Sequence, residues 1–168
     1  MKQSAIKGGC TQKDMNMKIR KTKSEDVRDL QTVLEGTELF PSEMLPDMVA
    51  GFLQNQDSGD LWLTAEQDGK AVGFCYALPE QLTEATWNML AIAVLPDVQS
   101  NGIGAELVQQ METEICAVGG RILIVDTSGT EAFAKTRAFY LKNGYDAEAR
   151  IRDFWANGDD KVIFRKAL

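Results

Sequence analysis

Between an apolar strand and an amphipathic helix lies the stretch Gln99-Ser100-Asn101-Gly102-Ile103-Gly104. Two glycines at a strand–loop–helix junction let backbone N–H groups come close to an anion, and the helix N-terminus adds roughly half a positive charge. A pyrophosphate is the natural guest, although the same two glycines also suit a plain tight turn. The stretch is not a dinucleotide fingerprint, because Leu107 stands where a third glycine is required. Nor is it a P-loop, since no Gly-Lys-Ser/Thr follows.

The chain has no histidine, which removes Ser-His-Asp and Cys-His catalysis and every zinc site that needs imidazole. Acid–base chemistry is left to Tyr, Asp, Glu, Cys, Lys and bound water. The three cysteines, Cys10, Cys75 and Cys116, are far apart and form no C-x-x-C pair. They read as reduced thiols in a reducing compartment, with no metal site expected. Lys plus Arg is 18 against 25 Asp plus Glu, a net charge of −7. That sign argues against nucleic acid as a partner and suits a cationic one, besides keeping the protein soluble.

No stretch reaches the ~18 apolar residues of a membrane span, and residues 1–16 lack the apolar centre of a secretory signal. A cytoplasmic protein without membrane attachment is expected, monomeric or homodimeric. Over 168 residues, 44% hydrophobic and 26% charged, the chain can bury one core without disulfides or metal.

The elements that must position this chemistry follow from periodicity. Residues 18–21 alternate as a short strand, and Ser24 then stands as a helix cap before Val27, Leu30 and Leu34. Residues 44–53 give a second helix. Strands at 61–66 and 71–78 flank the hairpin turn Gln67-Asp68-Gly69-Lys70. Residues 87–94 are largely apolar and predict a central strand. Ile103, Leu107, Val108, Met111, Ile115 and Val118 share a face of the long helix 102–118, which Gly119-Gly120 end. A buried strand at 121–127, a helix at about 134–143 and two strands near 145–154 and 161–166 complete the order β α α β β β α β α β β. The prediction is one α/β (α+β) domain over 17–168, with residues 1–16 as an extension.

Gln99-x-x-Gly102-x-Gly104 after Ala93-Val94-Leu95-Pro96 resembles the acetyl-CoA-binding signature of the GNAT N-acetyltransferase superfamily. Arg137-Ala138-Phe139-Tyr140-Leu141-Lys142-Asn143-Gly144-Tyr145 is similar to that family's late helix. The resemblance covers about residues 17–168. It implies a GNAT-like domain, a central mixed, mostly antiparallel sheet flanked by about four helices. It also implies an acetyl-CoA-dependent N-acetyltransferase. The enzyme would move acetyl to a primary amine (small molecule, peptide α-amine or lysine) by direct attack in a ternary complex. A non-catalytic acyl-CoA-binding sensor on the same fold is the alternative.

By the same resemblance, backbone amides of Gln99, Ser100, Asn101, Gly102, Ile103, Gly104 and Ala105 hold the pyrophosphate of coenzyme A. The main chain at Ile92 and Val94 pairs with pantetheine as an added strand does. Tyr140 matches the tyrosine that protonates the departing thiolate. Ala134, Ala138 and Leu141 are expected to form the core-facing stripe of its helix, with Tyr140 ~100° around from Leu141. Many relatives carry a base Glu eleven residues before the Gln; here that position is Asn88, whose amide can hold a water but cannot take the proton. Asp126, on the strand after the long helix, is the other candidate, as base or substrate anchor. Cys75 and Cys116 are expected in the core. Asp153, Trp155, Asp159 and Asp160 near the end of the chain, and Glu38 and Phe40 between the first two helices, offer charge and aromatic faces to a cationic acceptor.

Overall fold

The computed structural model describes residues 16–168; the expected extension lies, but for Asn16, outside the described residues, as does Cys10. The elements in chain order are β1 (Met17–Lys21), α1 (Val27–Thr37), α2 (Leu45–Gln54), β2 (Leu61–Gln67), β3 (Lys70–Pro79), β4 (Thr86–Val94), α3 (Ile103–Ala117), β5 (Ile122–Ser128), α4 (Ala134–Lys142), β6 (Asp146–Ala156) and β7 (Asp159–Ala167). This is the predicted order. The strands form one seven-stranded sheet, β1-β2-β3-β4-β5-β7-β6. Every neighbouring pair is antiparallel except β4 and β5, which run parallel through the α3 crossover.

Each face of the sheet carries a core. On one face Ile103, Leu107, Val108, Met111 and Ile115 of α3 pack on Leu63, Cys75, Met89, Leu123 and Val125. On the other, Leu30, Val33 and Leu34 of α1 and Leu45, Val49 and Phe52 of α2 cover Trp62, Phe74, Ala91 and Ala93. The periodicity of 3.6 in the helices supplies these stripes. Val118, read as part of the α3 face, lies past the last turn and is exposed. Cys75 is buried as expected, whereas Cys116, next to the buried Ile115, is rotated out to solvent.

The entry to α1 also differs from the expectation. Ser24 belongs to a short 3₁₀ turn, 24–26, and makes no cap. Asp26 does that work: its carboxylate accepts from the Lys23 N–H at 2.8 Å and from both terminal nitrogens of Arg20 at 2.7 Å. A carboxylate holds the turn and a β1 arginine together, which a hydroxyl at position 24 cannot. Burial alone pushes the Asp26 carboxyl up, but these hydrogen bonds outweigh it and hold it below the ordinary carboxylate range. Removing Arg20 would leave the Asp26 charge buried without its partner, at a cost of about 3–5 kcal/mol, whereas Arg20 without Asp26 would keep Glu66 at 2.7 Å.

Candidate functional site

A β-bulge in β4 creates the site. The β3–β4 register passes from Tyr76↔Ala91 to Ala77↔Met89, so Leu90 is an extra residue, and it is 52% exposed. Trp87 and Met89 face α3; after the bulge the parity flips, and Ala91 and Ala93 face α1 and α2. Beyond the bulge β4 also stops pairing with β5, whose register with it runs only through Met89↔Val125. The sheet therefore opens between its two parallel strands.

Two grooves run into this opening. One, of about 500 Å³, lies among β4, the loop before α3, and α4. The other, of about 350 Å³, lies among β4, β5, the α1–α2 connection and the β6–β7 end. Ile92, Thr136 and Tyr140 line both. The grooves meet at Tyr140.

The first groove is built from main chain. Leu95 N–H donates to Val72 O at 2.8 Å, so by antiparallel alternation Ala93 bonds β3 while Ile92 and Val94 turn their backbone groups to the open edge. The Val94 carbonyl accepts from Gln99 Nε2 at 2.8 Å, which ties the loop to the strand end. Gly102 caps α3 at φ +87°, a conformation glycine takes without strain. The first helical bond is Glu106 N–H to Gly102 O, 3.1 Å, so the N–H groups of Ile103, Gly104 and Ala105 have no acceptor among the described residues. Gln99 differs from its neighbours, because its own N–H already donates to Pro96 O at 3.2 Å. Ser100, Gly102, Ile103, Gly104 and Ala105 line the groove, joined by Lys135 and Lys142 from α4. Those two lysines were missed in the sequence, where nothing placed α4 opposite the loop.

Tyr140 is held from three sides, its ring centroid 5.3 Å from Phe139, 5.6 Å from Tyr145 and 5.3 Å from Phe164. Tyr145 is fixed in turn by donating to Glu112 Oε1 at 2.9 Å, and Lys166 donates to the other oxygen at 2.7 Å. Arg137 ties α4 to the end of β5 through Ser128 O at 2.8 Å and Thr130 O at 2.6 Å. The expected stripe is overturned: Leu141 is 56% exposed and Ala138 exposed, while Tyr140 is 2% exposed. A helix of nine residues touches the sheet over one turn, and the aromatic partners decide which side that is. Burial, reinforced by Cys75, pushes the Tyr140 phenol up, so it stays protonated at neutral pH. Burial likewise raises the Cys75 thiol far above its usual range, which suits a core residue and not a nucleophile.

Of the two candidates for the base, Asp126 lines the second groove. Its Oδ2 pairs with Lys161, whose ammonium also lies 4.6 Å from the Phe154 ring centroid. Asp126 Oδ1 is buried and makes no hydrogen bond among the described residues. Asn88 is set apart from both grooves; its Nδ2 donates to Glu80 at 2.8 Å, and its Oδ1 is buried without a partner among the described residues. Of the late acidic and aromatic residues, Trp155 and Asp159 line the second groove. Asp160 instead pairs with Arg150, and Asp153 accepts from the Gly158 N–H at 2.7 Å. In the α1–α2 connection Leu39 lines the groove, while Phe40 turns inward onto Phe74, 6.4 Å between centroids. Among the described residues no cluster of three or more Cys, Asp or Glu could hold a metal ion, and no helix is long and apolar enough to cross a membrane.

The site thus lies in an α/β domain whose mixed sheet opens between its parallel pair, with a bare helix N-terminus at one mouth. The profile of the acetyltransferase (GNAT) domain matches residues 58–147, just over half of the chain. A GNAT-family protein from Desulfovibrio desulfuricans is 30% identical, with 90% of this chain covering 98% of that one at a TM-score of 0.84. An aminoglycoside 6′-N-acetyltransferase solved with coenzyme A is 18% identical (89% and 96% covered, TM-score 0.74). The ribosomal-protein-S18-alanine N-acetyltransferase of Escherichia coli is 20% identical (90% and 93%, TM-score 0.72). A search of curated proteins gave no match. The chain belongs to the GNAT acetyltransferase family.

Proposed function

We propose that the protein moves acetyl from acetyl-CoA to a primary amine by direct attack, with both substrates bound at once. The observation that carries this reading is that Tyr140 lines both grooves, so one phenol faces the place where two ligands would meet. The first groove fits the cofactor on its own features: three amides without an acceptor among the described residues at a helix N-terminus for the diphosphate, two lysines beside it, and a strand edge at Ile92 and Val94 turned away from β3 for the amide-rich arm.

Bound there, acetyl-CoA would supply an activated acyl group on a thiolate leaving group. The chain's own part is to position and to move protons. An alkyl ammonium, of pKa near ~10, must lose its proton before nitrogen attacks. Asp126 is the carboxylate placed for that task in the second groove, with Lys161 paired to its Oδ2. Asn88 is not among the residues lining either groove, and its amide nitrogen is held by Glu80. As the N–C bond forms and the C–S bond breaks, Tyr140 gives its proton to the sulfur, and the second proton lost by the nitrogen restores the phenol. Holding two reactants in line removes much of the entropic barrier.

Incubating the protein with acetyl-CoA and a panel of amines and amino-terminal peptides, with thiol release as the readout, tests the reading. Release with at least one amine, dependent on Tyr140, is expected. Acetyl-CoA binding without release toward any amine would mean a binding module instead.

A further inference from the structure

The second groove has a composition that selects among amines. We infer that the acceptor is a small amine with one positive charge and an apolar alkyl or aryl body; this rests on the acetyl-transfer reading above.

Leu39, Leu90, Phe133 and Trp155 are all large apolar residues exposed to solvent, and all four line this groove. They come from four separate parts of the chain: the α1–α2 connection, the β4 bulge, the turn before α4, and the end of β6. Exposing apolar side chains singly needs no explanation, but four converging on one concavity mark a binding surface. Ile92 and Met89 continue the apolar wall inward. At about 350 Å³ the groove sits at the low end of the ~300–1,000 Å³ typical of small-molecule sites.

Charge at the floor is rationed. Asp126 and Asp159 are the two carboxylates lining the groove. Asp159 accepts from the Ser128 hydroxyl at 2.6 Å, and Asp126 shares its charge with Lys161. Two carboxylates against one ammonium leave one negative charge in excess, and one buried oxygen, Asp126 Oδ1, without a hydrogen bond among the described residues. One ammonium is accommodated by that balance. A second ammonium at the far end of the same acceptor would stand against Leu39, Leu90 or Phe133 in place of the apolar contact a plain alkyl chain makes there, and would find no further unpaired carboxylate.

Matched amines separate these outcomes. With acetyl-CoA saturating, kcat/KM should rise by up to about fourfold per added methylene from propylamine to hexylamine, the increment a fully buried methylene supplies. 1,6-Diaminohexane, of the same length as hexylamine with a second charge, should fall at least about tenfold below it. Trp155→Ala, at an exposed position, should flatten the chain-length dependence and leave the KM for acetyl-CoA unchanged. A diamine or polyamine preferred over the monoamine, or no dependence on chain length, overturns the inference while the acetyl-transfer reading stands. Absence of acetyl-CoA binding in a calorimetric titration would sink both.

Discussion

The two grooves are made in opposite ways. The groove proposed for the cofactor rests on main chain from one contiguous run, 92–105: a strand edge freed by a bulge and three amides at a helix start. The groove proposed for the acceptor is a patchwork of side chains near positions 39, 90, 126, 133 and 155. Main-chain recognition depends on backbone path and leaves side chains free to vary, so it suits a constant ligand. Side-chain recognition changes with every substitution, so it suits a ligand that differs between relatives. Tyr140 belongs to both halves, and substitutions should sort by which half they touch.

The largest effect is expected at the junction. Tyr140→Phe should lower kcat by about 100-fold, the lower end for loss of a general acid, with the KM for acetyl-CoA within about twofold of the parent. An equal kcat in the two proteins would remove Tyr140 from the chemistry. Asp126→Asn should act on the acceptor half alone, lowering kcat/KM for the amine by about 30-fold, as loss of a charge-assisted hydrogen bond does. Calorimetry should find acetyl-CoA binding unchanged, and a melting curve would register any cost of leaving Lys161 without its partner.

Effects confined to the cofactor half come next. Gly102→Ala meets no atom within 4 Å, so its penalty is backbone strain at φ +87°. That strain, about 1–2 kcal/mol, should weaken acetyl-CoA binding about tenfold with little change in the amine KM. Lys142→Ala should weaken it only about threefold, with the difference fading at high salt, as exposed ionic contacts do. If Gly102→Ala instead changed amine selectivity, the division into two halves would fail.

The same division explains what was legible in the sequence. The order of strands and helices follows from local periodicity, and the cofactor loop is a local motif, so both could be read from neighbouring residues. The bulge at Leu90 could not, because Met89-Leu90-Ala91-Ile92 reads as an unbroken apolar strand; only pairing with β3 shows the extra residue. Leu141 looked like core and Tyr140 like a flank because α4 is short. Tyr145 and Phe164, packing from the turn before β6 and from β7, bury the tyrosine instead. The acceptor groove was partly visible, through Asp126, Trp155 and Asp159. Leu39, Leu90 and Phe133 carried no signal, since an exposed apolar residue becomes a binding wall only when distant segments bring several together.

The central claim is that the opened edge of β4 and the start of α3 bind the thioester cofactor through their backbone. Amide hydrogen exchange, measured with and without acetyl-CoA, tests it where it is made. Slowed exchange at Ile92 and Val94 and across Gly102–Ala105, with little change at 153–160, is the expected result. Unchanged exchange at those amides under saturating acetyl-CoA would contradict the account.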